Sequence, residues 1–363
     1  MVRAIRHIWA SAIGLAALIP LSGESCTGVR LISKDGSCVT GRTVEFGLRL
    51  EGSCAVIPRD HAFEGTTPQG KGLSYSSQYQ AVGLIAFQDP SILDGVNEKG
   101  LAVGTFYFPG YAGYAEISPQ NQAKALSPLQ FPNWLLTQFA TVEEIKKGLS
   151  DVVIAPTINP KWGATPPPFH YIAYDASGDS VVIEPIQGRL VATDNPLGVF
   201  TNSPTFEWHL TNLRNYVSLH PENAPPQNLG GVTLASFGQG SGMWGLPGDF
   251  TPPSRFVRAA FMSATALPGQ TGEEAMARVF HILNLFDIPL GSVRPGTDEN
   301  LFEETQFTTV KDGKALKYYF KDYGNQSIRM VDLHQFDPKA KGIKTLTLTL
   351  GSQPVEDISA QLR

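Results

Sequence analysis

The stretch GESCTGVRLISKDGSCVTGRTVEFG, residues 23–47, places a cysteine just behind an apolar leader and follows it with two runs rich in β-branched residues. CTGVRLIS and SCVTGRTVEF read as strands, and Lys34-Asp35-Gly36 between them supplies the chemistry of a tight hairpin turn. Such a hairpin folds Arg42 and Glu45 back beside Cys26. The role of that cysteine decides among an enzyme, a lipid-anchored protein and a disulfide-stapled module.

The leader has a basic start (Arg3, Arg6, His7), an apolar run from Ile8 to Leu21 and then small residues, the three-part pattern of a secretory signal peptide. The apolar run is shorter than the roughly 18–20 residues of a spanning helix. The expectation is a signal peptide over 1–25, one catalytic domain over 26–363, and export to the periplasm or the exterior without stable membrane insertion. A formal net charge of -5 argues against nucleic acid or anionic membrane as the main partner. Of Cys26, Cys38 and Cys54, two can pair, with Cys38 and Cys54 better placed for each other, and one is left over for an intermolecular bridge or as a reactive thiol. No C-x-x-C occurs and the histidines do not cluster, so neither a metal nor a cofactor is expected.

Further along, QAVGLIAF (80–87) and LAVGTFYFPG (101–110) read as apolar strands joined by the turn-rich DGVNEKG. Residues 127–149 read as helical, with Ser127-Pro128 at the first start and Thr141 capping a second segment. Strands follow over 169–204. Helices are expected in TFEWHLTNLRNYVSL, TPPSRFVRAAFMSATAL and TGEEAMARVFHILNLF, and the tail returns to strands around Lys311-Asp312-Gly313-Lys314. Strands, helices and strands in one unbroken run suggest a single α+β domain of layered sheets.

Cleavage after Ser25 would make Cys26 the first residue. Its α-amine, with an ordinary pKa of roughly 7.7–8.0, is then a base for its own thiol, ordinarily about 8.5. A cation to favour the thiolate, an acid to orient the amine and donors for an oxyanion complete such a site.

CTGVRLISKDG…GRTVEFG, DGVNEKGLAVGTFYFPG, FTNSPTFEWHLTNL and GLPGDFTPPSRFVRAAF together resemble the choloylglycine hydrolase family, which includes bile salt hydrolases and penicillin V acylases. The resemblance implies a four-layer αββα sandwich, often a homotetramer, and an N-terminal nucleophile mechanism. By position, Cys26 matches the nucleophile and base, and Arg42 the arginine beside it. Glu45 falls where the family usually has an aspartate that binds the free α-amine; the added methylene means that its carboxylate must sit differently. Tyr107 matches the residue whose backbone amide helps form the oxyanion hole. Asn202 matches the asparagine whose side chain supplies the second donor, and Arg255 a second active-site arginine. A cation such as Arg255 is otherwise ill placed near a helix start. Asn97 reads as a turn former.

The implied reaction is hydrolysis of a linear, non-peptide amide between an apolar acyl group and a small amine, as in conjugated bile salts. Penicillin V and N-acyl homoserine lactones are alternatives. Phe46, Tyr107, Phe108, Trp134 and Trp208 are candidates to line the acyl pocket. Tyr107 stands where bile salt hydrolases often have asparagine and penicillin V acylases have tyrosine. The rival from another class is a lipoprotein anchored through Cys26, which Gly23 and Glu24 disfavour. A non-catalytic relative is the third reading.

Overall fold

The hairpin that carries Cys26 forms as its sequence implies. In the computed structural model, which describes residues 25–294, 296, 302–348 and 352–362, strand β1 (Gly28–Ile32) pairs antiparallel with β2 (Cys38–Phe46), and Gly28 lies opposite Arg42. Gly36 closes the turn at φ +81, a conformation that suits glycine because a Cβ would clash with its own backbone. The leader expected over 1–25 lies, Ser25 apart, outside the described residues. None of the described helices is long and apolar enough to cross a membrane.

The remaining strands of the two main sheets are β3 (Ser53–Ile57), β4 (Ala81–Ile85), β5 (Ile92–Asn97), β6 (Ala102–Tyr107), β7 (Phe169–Tyr174), β8 (Ser180–Ile186), β9 (Arg189–Asp194), β10 (Glu304–Asp312), β11 (Lys317–Asp322), β12 (Asn325–Asp332) and β13 (Lys344–Thr347). One sheet runs β1-β2-β10-β11-β12, and the other β9-β8-β7-β6-β5-β4-β3-β13. All of these pairings are antiparallel. The helices are α1 (Phe131–Gln138), α2 (Val142–Gly148), α3 (Phe206–Asn212), α4 (Pro252–Thr265) and α5 (Gly272–Leu283).

The two sheets stack face to face. Helices α4 and α5 pack on the first sheet and α1 on the second, which is the four-layer αββα sandwich. β2 is buried along its whole length because both of its faces are covered. Gly41 faces α5 so closely that a Cβ there would lie 2.5 Å from Val279 Cγ1. Its neighbour Arg42, on the opposite face of the pleat, reaches the second sheet and donates to Thr105 O.

A buried ion pair also joins the sheets. Asp94 on β5 accepts from Lys311 Nζ, from Thr309 Oγ1 and from Tyr318 Oη at 3.0 Å. This corrects the reading of DGVNEKG as a simple connection, since its first half is part of β5, a fully buried central strand. The polar residues that suggested a turn are used inside. Asp94 has its lysine, and Asn97 donates to Leu136 O and Phe139 O while its Oδ1 accepts from Lys99 N and Leu101 N. Asn97 is thus a turn former that also ties β5 to the end of α1.

Helix α1 begins at Phe131, later than the Ser127-Pro128 start expected. Those two residues form a preceding turn in which Ser127 O accepts from Gln130 N and Phe131 N. Thr141 caps α2 and Thr271 caps α5, each accepting the main-chain N–H of the glutamate three residues on. The three cysteines are free. Cys38 is on β2 of one sheet and Cys54 on β3 of the other, so the disulfide that the sequence left open is not made.

Candidate active site

Cys26 sits at the head of β1, buried, and lines a narrow cleft with Arg42, Glu45, Phe46, Tyr107 and Trp162. Ser25 is still joined to it, and the Cys26 main-chain N–H donates to Asn202 Oδ1 at 2.8 Å. Burial pushes the thiol up. Arg42 is the largest counterweight, followed by the main-chain N–H of Glu45, aimed at the sulfur, and by Arg255; the Glu45 carboxylate works the other way. The sulfur therefore stands in an apolar wall with two guanidinium groups in its field, a setting that rewards the thiolate only when a proton acceptor is at hand.

All six predicted residues gather here, from five separate segments of the chain. Arg42 lies 4.1 Å from the Phe106 ring centroid and donates to Thr43 O at 3.1 Å. Arg255 reaches the site from the first turn of α4, which starts at two prolines behind Asp249. Asp249 accepts from Thr251 N, Thr251 Oγ1 and Ser254 Oγ, which fixes the turn that leads into the helix. Arg255 Nε donates to Phe250 O at 2.8 Å and Nη1 to Cys26 O and to Thr27 Oγ1; Nη2 donates to Asn202 Oδ1 at 2.7 Å. Its position near a helix start, unfavourable to a cation, is offset by these four acceptors and by the fields of Glu45 and Glu303.

The Glu45 carboxylate is engaged by two hydroxyls rather than by the Cys26 nitrogen. It accepts from Thr43 Oγ1 at 3.0 Å and from Thr305 Oγ1 at 2.8 Å, while the Cys26 nitrogen is held by Asn202. Burial pushes the Glu45 carboxyl up to about 8 against Arg255 and the two hydroxyls. Asn202 Nδ2 donates to Tyr107 O at 2.9 Å. Just beyond β6, Phe108 N donates to Pro168 O, and Phe169 N turns outward to donate to Tyr114 Oη. By the alternation of an antiparallel ladder, the Tyr107 main chain therefore faces away from β7, toward Asn202.

Four aromatic rings wall the cleft in a closed edge-to-face circuit. Phe46 meets Tyr107 and Trp162, and Phe169 meets the same two, at centroid distances of 5.3–6.1 Å. Of the aromatic candidates, Phe46 and Tyr107 line the cleft. Phe108 stacks on His170 and Trp134 packs against Phe131. Trp208 is half-exposed on α3. These three do not line it.

Residues 26–345 match the family model for linear amide C-N hydrolases, choloylglycine hydrolase family. The chain belongs to that family. A bile salt hydrolase/transferase of Clostridium perfringens is 34% identical over 324 residues, spanning 88% of this chain and 96% of that protein. The crystal structure of a variant of the conjugated bile acid hydrolase from Clostridium perfringens superposes with a TM-score of 0.80 at 31% identity, covering 92% of this chain and 100% of that one. A penicillin V acylase from Agrobacterium tumefaciens superposes with a TM-score of 0.73 at 25% identity, covering 90% and 95%. The protein is thus a linear amide C-N hydrolase.

Several residues of this choloylglycine hydrolase site escaped the sequence reading. Thr43 carried a signal, since it shares a face of β2 with Glu45. Thr305 and Glu303 arrive from the far end of the chain and carried none. His209 Nε2 pairs with Asn202 O at 2.9 Å from the next helix, and its ring stacks on Phe256. Trp162 comes from an irregular segment rich in proline. The described residues contain no cluster of His, Cys, Asp and Glu able to hold a metal ion.

Proposed function

We propose that this enzyme hydrolyses N-acyl amides with an apolar acyl group, of the conjugated bile salt type, through Cys26 as an N-terminal nucleophile. The observation that carries this reading is the placement of the Cys26 sulfur at the floor of an apolar cleft, between Arg42 and Arg255 and under the Glu45 main-chain N–H. Once Ser25 is removed, the α-amine takes the thiol proton and the thiolate attacks the acyl carbon. Asn202 Nδ2 retains one N–H beyond its bond to Tyr107 O, and with the Tyr107 main-chain N–H it forms the oxyanion site. The α-ammonium returns the proton to the leaving amine. Water, deprotonated by the same amine, then cleaves the thioester and restores the thiol.

A second reading, penicillin V acylase, has its own support. The cleft is narrow and walled by four rings, which favours a compact flat acyl group over a steroid, and Tyr107 is one of the rings. The test is the intact mass of the exported protein together with turnover of glycocholate and of penicillin V. A chain beginning at Cys26, with turnover that disappears in Cys26→Ser, supports the nucleophile, and the ratio of the two rates chooses the acyl class. An active protein with a blocked Cys26 would refute it.

The leader supports export to the periplasm or exterior, testable by fractionation. The exposed apolar side chains Leu229, Val232 and Leu234 on the protruding 227–234 hairpin favour self-association. Sedimentation would test the expected homo-oligomer.

A further inference from the structure

Glu303 enters the site from the segment leading into β10 and belongs to none of the motifs above. It is 2% exposed. Its Oε2 accepts from Ser25 Oγ at 3.1 Å, while Oε1 is buried and has no hydrogen-bond partner among the described residues. A buried carboxylate oxygen with no donor is costly unless something charged completes it. The two sites that could do so in the unprocessed chain are already engaged elsewhere. Arg255 gives four of its five N–H groups to Phe250, Cys26, Thr27 and Asn202 and reaches Glu303 only through its field, and Arg42 turns to Thr105 and Thr43.

The residue that Glu303 touches is the one whose removal creates the nucleophile. Ser25 is bonded through its carbonyl carbon to the Cys26 nitrogen, so its departure frees both the space in front of Glu303 and a new cation. That cation needs a partner. With Arg42 and Arg255 it makes three positive groups around one sulfur. Against them stand the thiolate and Glu303, while burial favours the protonated form of Glu45. Glu45 already holds the hydroxyls of Thr43 and Thr305. Asn202 offers the α-nitrogen a neutral acceptor only.

We propose that Glu303 is the counter-ion of the Cys26 α-ammonium in the processed enzyme, its carboxylate passing from the Ser25 hydroxyl to the new N-terminus. The proposal rests on the N-terminal nucleophile reading. It makes Glu303 a positioning residue that acts through the amine. It also accounts for a carboxyl that burial pushes up to about 7 in the presence of Ser25, with Arg255 and the Ser25 hydroxyl pulling it down. An adjacent ammonium would pull it down further.

The charged groups acting on Cys26 are Arg42 and Glu45 from β2 and Arg255 from α4, with Glu303 facing the adjoining Ser25; Asp249 acts on Arg255, and His209 pairs with Asn202 O. The experiment uses processed protein, its mass checked to begin at Cys26. It measures the pH dependence of kcat/KM on glycocholate or penicillin V and, without substrate, of Cys26 alkylation by iodoacetamide. Removing an anion eases loss of the first proton from the thiol–ammonium pair. In Glu303→Gln, the acidic limb of both profiles should therefore move down by about one pH unit. Glu303→Asp, which keeps the charge at a longer reach, should move about half as far and serves if the glutamine variant does not fold. Glu304→Gln, altering a neighbour that pairs with the exposed Arg49, should move neither limb. An unmoved limb in either Glu303 variant, with Cys26→Ser dead, overturns the role of Glu303 and leaves the nucleophile standing. Activity that survives Cys26→Ser, or an active chain still carrying residues before Cys26, overturns both, because no α-ammonium then needs a counter-ion.

Discussion

Arg255 and Asn202, from α4 and from the segment before α3, meet at 2.7 Å between Nη2 and Oδ1. The same oxygen accepts the Cys26 nitrogen at 2.8 Å. One guanidinium thereby sets the lone pairs of the amide that holds the Cys26 nitrogen, and a second arm of the same group holds the Cys26 carbonyl.

Arg255→Lys tests that fork. A lysine keeps the charge but cannot span Phe250 O, Cys26 O, Thr27 Oγ1 and Asn202 Oδ1 at once. We expect kcat/KM to fall by about 10²-fold or more, comparable to the loss of an oxyanion donor. Thermal unfolding should show a loss on the order of 3 kcal/mol from buried acceptors left without donors. A fully active Arg255→Lys would mean that only the charge matters.

Thr305→Val removes one of the two hydroxyls on Glu45 and the acceptor of Ile288 N at almost constant volume. The expected destabilisation is about 1–3 kcal/mol. The pH dependence follows from the sign of the Glu45 shift. Its folded value, about 8, lies above that of an unfolded glutamate. The folded state therefore binds the extra proton, and stability is lost as pH rises through the interval up to about 8. Losing the Thr305 hydroxyl raises the folded value further, so urea denaturation at successive pH values should show a wider fall than in the parent. A narrower fall would contradict the assignment.

His209 works in the opposite direction. Burial holds its ring down at about 4, against the Asn202 carbonyl that favours protonation. A histidine depressed in the fold contributes stability that is present above its unfolded value and is lost as pH drops toward 4. His209→Gln should flatten the stability curve across that acid interval. It should also lower turnover at neutral pH, since Asn202 loses its brace. An unchanged acid slope would place the titration elsewhere.

Thiol counting checks the cysteines. Denatured processed protein should show three reactive thiols with or without prior reduction, and Cys38→Ala and Cys54→Ala should each leave turnover within about twofold, since neither touches the cleft. One thiol without reductant and three with it would show a disulfide.

The sequence was most informative where chemistry is local. Asp35-Gly36 specified the turn that brings Arg42 to the head of β1, Thr141 and Thr271 marked two helix starts, and the motifs around Cys26, Tyr107, Asn202 and Arg255 named the site. It was least informative where a polar residue is satisfied at long range. Asp94 and Asn97 read as turn formers because their partners, Lys311 in one case and the end of α1 in the other, are not visible in the neighbouring sequence. Trp162 was missed because an irregular proline-rich segment shows no period that marks one side chain as inward.

By itself, then, the sequence determined the family and the layered α+β architecture and singled out Cys26, since strand period, turn residues and motif order are properties of short segments. The tertiary structure alone decided which group holds which. Glu45 spends its carboxylate on two threonines, Asn202 takes the Cys26 nitrogen, four rings close the cleft and Glu303 faces Ser25 across 278 residues of chain. Hydrogen bonds and desolvation act over a few ångströms, and only folding brings these residues that close.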